Sequence, residues 1–205
     1  ETQVLHCAKI IKKNYPNKLL FSGGVNAKSR SSIFFSSGFD IICTSESEAT
    51  IQQIAKILQN ESKDFSSVGK IFFKNKSGKI IDNSHFGDIF WDLDKLPIPA
   101  WDLLPNERYW KIGRPHGGNI KPGAELRYAS IMTSRGCPFK CSYCHIAQET
   151  EDSISGAIGR FRIKSDERVR KELHILRDEI GAKQIFIEDD SIFGMKRRAI
   201  RLLKS

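Results

Sequence analysis

No stretch of this chain is long and apolar enough to cross a bilayer. Runs such as "IFF" and "FDIIC" fall far short of the roughly 20 residues that a transmembrane helix needs. A signal peptide is missing from the start, "ETQVLHCAKIIKK", which is acidic and then amphipathic, with neither an apolar core nor a cleavage site. An even set of cysteines, the mark of a secreted disulfide framework, is lacking as well: there are five, and three of them are clustered. That pattern argues for a reducing, cytoplasmic compartment and a metal site. Nor is the chain short of apolar residues, and 40% hydrophobic with 28% charged fits a soluble globular protein. Lysine plus arginine exceed aspartate plus glutamate by 33 − 24 = 9. The lysines are spread along the chain rather than gathered in one stripe, so charge alone does not indicate a nucleic-acid partner.

The 205 residues leave room for one large domain or two small ones. Residues 3–13 have helical periodicity, with Val4, Ala8 and Ile11 on one face and Leu5 beside them, and Pro16 ends that helix. "KLLFS" (18–22), closed by Gly23 and Gly24, and "FDIIC" (39–43) read as buried strands, with a helix between them within 27–36. "SESEATIQQIAKILQ" (45–59) is an amphipathic helix that Ser45 can cap, with Ile51, Ile54, Ile57 and Leu58 on one face. This alternation is that of a doubly wound parallel sheet. Residues 69–83 predict a hairpin around a Lys-Ser-Gly turn, and 91–110, with Pro97, Pro99, Pro105 and three tryptophans, an ordered strap. Residues 113–127 predict an exposed loop. A second α/β series begins with a strand at 127–134, then a helix over 165–181 stopped by Gly181, a strand at 184–193 ending in Glu188, Asp189 and Asp190, and a further helix. Cys7 lies in a helical pattern and Cys43 ends the apolar run "FDIIC", and both read as small buried hydrophobes.

Between the first strand of that second series and its helix stands "SRGCPFKCSYCH" (134–145). Cys137, Cys141 and Cys144 follow a C-x3-C-x2-C spacing. Thiolates suit zinc, copper(I) or iron–sulfur clusters. Structural zinc takes four protein ligands, usually from paired C-x2-C knuckles, whereas only one such pair is present and His145 is adjacent to Cys144. Three cysteines on one loop can hold three irons of a [4Fe-4S] cluster and leave the fourth open. Ligand sites in parallel α/β architectures lie at the carboxyl ends of strands, where both this loop and the acids 188–190 fall. Those acids either receive the ammonium group of a ligand, or cap the following helix or simply face water.

The C-x3-C-x-aromatic-C loop after a first barrel strand resembles the radical S-adenosylmethionine (radical SAM) superfamily. The resemblance implies that Cys137, Cys141 and Cys144 hold a [4Fe-4S] cluster whose open iron binds SAM, and that Tyr143 packs near adenine. Glu188, Asp189 and Asp190 take the place of the family's Gly-Gly-Glu segment as SAM contacts. "DLDKLPIPAWDLLP", "RFRIKSDERVRKEL" and "IFIEDDSIF" narrow the resemblance to the branch with an N-terminal cobalamin-binding-type domain, with Gly23 and Gly24 at that domain's glycine pair. The Asp-x-His-x-x-Gly segment that supplies cobalamin's axial histidine in that branch is absent, and "SESE" stands where its Gly-Glu-x-Glu turn is common.

The resulting expectation is an α/β chain cut from a longer enzyme at both ends, starting at Glu1 rather than Met. Residues 1–60 are the C-terminal part of a Rossmann-like cobalamin-binding-type domain, 61–127 the hairpin and connecting strap, and 128–205 the first βα units of a radical SAM partial (β/α) barrel. The resemblance implies reductive cleavage of SAM to a 5′-deoxyadenosyl radical for methyl transfer or rearrangement at an unactivated carbon. It also implies an electron donor such as flavodoxin or ferredoxin, and cobalamin in the full-length protein. A methylthiotransferase acting on transfer RNA or protein, and a zinc-stabilised binding module, are the rival readings. The substrate is not legible.

Overall fold

The computed structural model describes residues 2–112 and 126–204, apart from the side chain of residue 112; most of the Gly-, Pro- and Lys-rich loop expected at 113–127 lies outside them. The chain divides into two compact units, one formed by residues 1–90 with 148–158, the other by 91–147 with 159–205.

In the first unit, α1 (Thr2–Asn14) leads to β1 (Phe21–Ser22), α2 (Val25–Ser29), α3 (Ser31–Ser36), β2 (Ile41–Cys43), α4 (Glu48–Gln59), β3 (Ile71–Lys74) and β4 (Ile80–Asp82). The sheet order is β1-β2-β3-β4, with β1 parallel to β2 and the β3–β4 hairpin added antiparallel. Alternation along β2 and β3 explains the layering, because successive side chains of a strand point to opposite faces. Ile42 and Phe72 face one core with Ala8, Ala27, Phe34, Phe35 and Phe39. Ile41, Cys43, Ile71 and Phe73 face the other with Ile54, Phe65 and Val68. Both faces are covered, so all three residues of β2 are buried, each large side chain contributing roughly 1.5–3 kcal/mol.

Several expectations change here. The hairpin expected in a connecting segment belongs to the first sheet, because "IFF" is apolar on both faces and must be covered on both. The helix expected within 27–36 is two short helices joined at Arg30. Ser45 does not cap α4: the helix starts at Glu48, and the Ser45 hydroxyl donates to the Ser155 carbonyl at 2.7 Å instead. Cys43 is buried as expected, but Cys7 is exposed, since α1 presents Ala8 and Leu5 inward while Val4 and Ile11 face out.

In the second unit the strap is ordered as expected. Its 3-10 turns, Leu93–Lys95 and Trp101–Leu103, precede α5 (Asn106–Ile112). Leu93 and Leu96 are buried, Arg160 and Arg162 stack over Trp91, and the Trp110 indole donates to the Tyr128 carbonyl at 2.7 Å. β5 (Tyr128–Ile131) pairs in parallel with β8 (Gln184–Ile187), while β6 (Ser134–Arg135) pairs antiparallel with β7 (Arg162–Ile163). Between β7 and β8, α6 (Asp166–His174) is capped by the Ser165 hydroxyl, continues as a π-helical turn over Ile175–Ile180 and stops at Gly181 in the left-handed conformation. Ala129, Ile131, Val169, Leu176 and Ala182 form the core. α7 (Lys196–Lys204) follows a 3-10 turn at Ile192–Met195.

Residues 148–158 join the first unit through a buried ion pair. The Lys28 ammonium on α2 meets both the Glu149 carboxylate and the Ser155 hydroxyl. Burial pushes the Glu149 carboxyl up, but hydrogen bonds from Lys28 and Ser155 and the lysine charge outweigh it and hold the group below its ordinary value. A carboxyl that titrates lower in the folded state stabilises fully above its unfolded value, and that contribution fades as pH falls through the folded one. Lys28→Met should destabilise the protein by about 3 kcal/mol or more in neutral urea denaturation. The gap from the parent should narrow below about pH 4.

Candidate functional site

The cysteine loop begins where β5 ends. Thr133 and Ser134 turn the chain away from the parallel pair, and β6 then runs two residues before the loop proper. Gly136 makes the turn possible: its φ is +71°, and a Cβ there would stand 2.4 Å from the Arg160 carbonyl oxygen and 2.6 Å from that of Gly159. Both the left-handed backbone and the close approach require glycine. The Cys137 amide donates to the Gly159 carbonyl at 3.1 Å, which pins the first cysteine beside β7. The Cys144 amide donates to the Cys141 carbonyl at 3.1 Å, closing the C-x2-C segment as a β-turn.

All three thiols are half-buried and none is in a disulfide. Among the described residues, no group of three or more His, Cys, Asp and Glu side chains is gathered as a ligand set for a single metal ion. By their chemistry, three thiols on one loop are soft donors of the kind that iron–sulfur clusters take. The Tyr143 ring is 90% exposed and Phe139 is also exposed, so the loop shows aromatic surface to solvent.

The three acids after β8 occupy different environments. Glu188 is exposed and accepts one hydrogen bond, from the Ser130 hydroxyl at 3.3 Å. Asp189 turns inward. One oxygen accepts from the backbone amides of Thr133 (2.5 Å) and Ser134 (3.1 Å), and the other from their hydroxyls (2.6 and 2.8 Å). Asp190 is exposed to solvent, yet partial burial pushes its carboxyl up, the charge of His145 lowers it and that of Asp189 raises it. His145 thus lies in the electrostatic field of Asp190, a relation that sequence spacing alone did not show.

Behind this turn the packing is charged. Arg198 on α7 is 3% exposed; its guanidinium donates to the Thr133 hydroxyl and carbonyl, each at 3.1 Å, and to the Lys164 carbonyl at 2.9 Å. Glu172 on α6, 2% exposed, accepts from Lys164 through both oxygens at 2.8 Å and from Arg168 at 2.9 Å. Thr133, Ser134, Arg198 and Glu172 were not singled out from the sequence. Polar residues flanking a glycine-cysteine turn and an arginine on an apolar helix face were the available signals.

In the first unit, Gly23 and Gly24 close β1 as expected. Gly24 has φ +88° with no heavy atom within 4 Å of the position its Cβ would take, and a Cβ on Gly23 would stand 3.4 Å from that of Cys43. At the end of β2, the Thr44 hydroxyl is buried without a hydrogen-bond partner. An open glycine position and an orphaned hydroxyl at the carboxyl ends of two parallel strands suit a bound ligand.

No family model matches the chain. It is 33% identical over 162 residues to an uncharacterised methyltransferase of Pyrococcus horikoshii, a match covering 78% of this chain and 30% of that protein. It is 23% identical over 200 residues to the cobalamin-dependent radical SAM methyltransferase TokK of Streptomyces tokunonensis, across 95% of this chain and 26% of TokK. Its fold matches the cobalamin-dependent SAM radical enzyme OxsB with a TM-score of 0.69 at 20% identity, over 99% of this chain and 26% of OxsB. The architecture is therefore the mixed α/β fold of cobalamin-dependent radical SAM enzymes. In sequence the chain is thus similar to cobalamin-dependent radical SAM methyltransferases, and in fold to part of the solved enzymes of that kind. The chain spans less than a third of the length of the relatives it matches.

Gly136→Ala should disturb the loop before any ligand is bound. Left-handed strain and backbone overlap together should cost about 2–4 kcal/mol, read as a lower urea midpoint than the parent at pH 7.

Proposed function

We propose that the full-length protein is a radical SAM methyltransferase in which Cys137, Cys141 and Cys144 ligate a [4Fe-4S] cluster. The observation that carries this reading is the loop itself: three half-exposed, unbridged thiols at the carboxyl end of a parallel strand, with Cys137 anchored to Gly159 and the other two joined by a β-turn. The methyltransferase names of its relatives support the reaction class. Among the described residues no helix is long and apolar enough to cross a membrane.

Held by Cys137, Cys141 and Cys144, such a cluster would supply the one-electron chemistry for reductive cleavage of SAM to a 5′-deoxyadenosyl radical. The chain's own part is to hold and orient. Three thiolates leave one iron without a protein ligand. Tyr143, exposed beside Cys144, offers a flat apolar face for adenine. Glu188 and Asp190 are the acids available for an ammonium group. Partial burial raises the energy of a charged Asp190, and an arriving cation offsets that cost. A flavodoxin- or ferredoxin-type donor supplies the electron, and the acceptor is a carbon substrate bound largely by other parts of the longer protein.

Gly23, Gly24 and Thr44 are the residues here that would line a cobalamin site. Cobalamin supplies a methyl carrier in such enzymes; this sequence contains no Asp-x-His-x-x-Gly segment to provide its axial histidine.

Anaerobic reconstitution of the full-length protein with iron and sulfide, followed by SAM and a reductant, should give a brown protein that releases 5′-deoxyadenosine. Alanine at Cys137, Cys141 or Cys144 should abolish both colour and cleavage, whereas Cys7→Ala and Cys43→Ala should keep both. A colourless protein that binds one zinc and never cleaves SAM overturns the reading.

A further inference from the structure

We infer that Asp189 is a positioning residue for the cysteine loop, acting from behind it, and that it does not contact SAM; the inference deepens the proposed function and rests on that reading for its SAM arm alone. The acids after β8 stand together in sequence, but their hydrogen bonds divide them. Both oxygens of Asp189 are occupied, each by two donors, and all four donors come from Thr133 and Ser134. These are the residues through which β5 becomes β6, two positions before the Gly136 turn. A carboxylate so satisfied has no favourable geometry left for an incoming ammonium, because that cation would have to displace donors that are themselves buried: Thr133 is 0% and Ser134 1% exposed.

The clasp extends inward. The Thr133 hydroxyl donates to Asp189 and accepts from Arg198. The Thr133 carbonyl accepts from both Arg198 and the Lys164 amide, the latter at 2.9 Å. The buried guanidinium and the carboxylate therefore share one threonine, and the arginine's charge is offset by Asp166, 3.7 Å from its Nε, as well as by Asp189. Ser134 and Arg135 are held from the opposite side by Ile163 and Arg162. The start of the cysteine loop is thus fixed by α7, β7 and β8 at once, with Asp189 as the acceptor of the outermost bonds.

Conservative replacement separates the two roles. In Asp189→Asn the remaining carbonyl oxygen can still accept the two backbone amides, and the new amide can donate to the two hydroxyl oxygens, which are acceptors as well as donors. A positioning role therefore survives Asn and fails with Ala, whereas a contact that needs negative charge fails with both. The test uses the full-length protein. In the metal-free state, amide hydrogen exchange at Thr133 and Ser134 should accelerate at least tenfold in Asp189→Ala, spread into residues 135–144, and return to within about threefold of the parent in Asp189→Asn. Ser134→Ala, which removes one hydroxyl bond, should fall between them. In the reconstituted state, Asp189→Asn should bind SAM within about threefold of the parent, while Asp190→Asn should weaken it at least tenfold.

Unchanged exchange at Thr133 and Ser134 in Asp189→Ala overturns the inference, as does a tenfold loss of SAM affinity in an Asp189→Asn protein with normal exchange. If the parent takes up no cluster, the proposed function has failed, and the metal-free exchange still decides the role of Asp189.

Discussion

Four hydrogen-bond donors from two consecutive residues converge on the carboxylate of Asp189, and most of the site's order follows from that convergence. Thr133 and Ser134 lie where a buried parallel strand must turn and become an exposed loop. Backbone amides at such a turn lose their ladder partners and need others. Asp189 supplies them from the end of the neighbouring strand, so the parallel pairing of β5 with β8 and the exit of the cysteine loop are fixed by one group. The charge this places in the interior is balanced by Arg198, itself buried and bonded to the same threonine. Burying charge in this way is costly unless every partner is present, so the arrangement favours one loop geometry over alternatives.

The same economy recurs with Glu172, whose two oxygens take three bonds from Lys164 and Arg168, and with Glu149, which meets Lys28 and Ser155. In each case an acid ties a loop or short strand to a helix. The chain has more basic than acidic residues, and part of that excess is spent inside the units: Lys28, Lys164 and Arg198 are internal partners of acids or carbonyls. A basic balance is therefore no guide to an anionic partner here.

Much of the architecture was legible because it depends on local pattern. The apolar run "FDIIC" gave β2, the run expected to be a strand over 184–193 gave β8 in its first four residues, Gly181 marked the end of the helical segment, and the cysteine spacing marked the loop. What escaped was tertiary. That the hairpin at 71–82 is covered on both faces follows from its apolar "IFF", but that β2 is the strand it joins depends on which strand edge is open, and its own residues do not encode that. Ser45 had the sequence signature of a cap but found a carbonyl 110 residues away. The acids 188–190 read as one ligand set because they are adjacent. Alternation along an extended segment sends neighbours to different sides, and Asp189 is the member that turns inward. Cys7 followed an apolar pattern on a helix whose inward stripe is narrow, centred on Ala8.

In the function proposed, three cysteines on this loop leave one metal position for a small-molecule ligand. Mössbauer spectroscopy of the full-length protein, reconstituted with iron-57 and measured before and after SAM is added, tests it most directly. The expected result is a four-iron cluster in which the signal of one iron alone changes its isomer shift when SAM binds. Four irons that respond identically, or a site that holds no iron cluster, would contradict it.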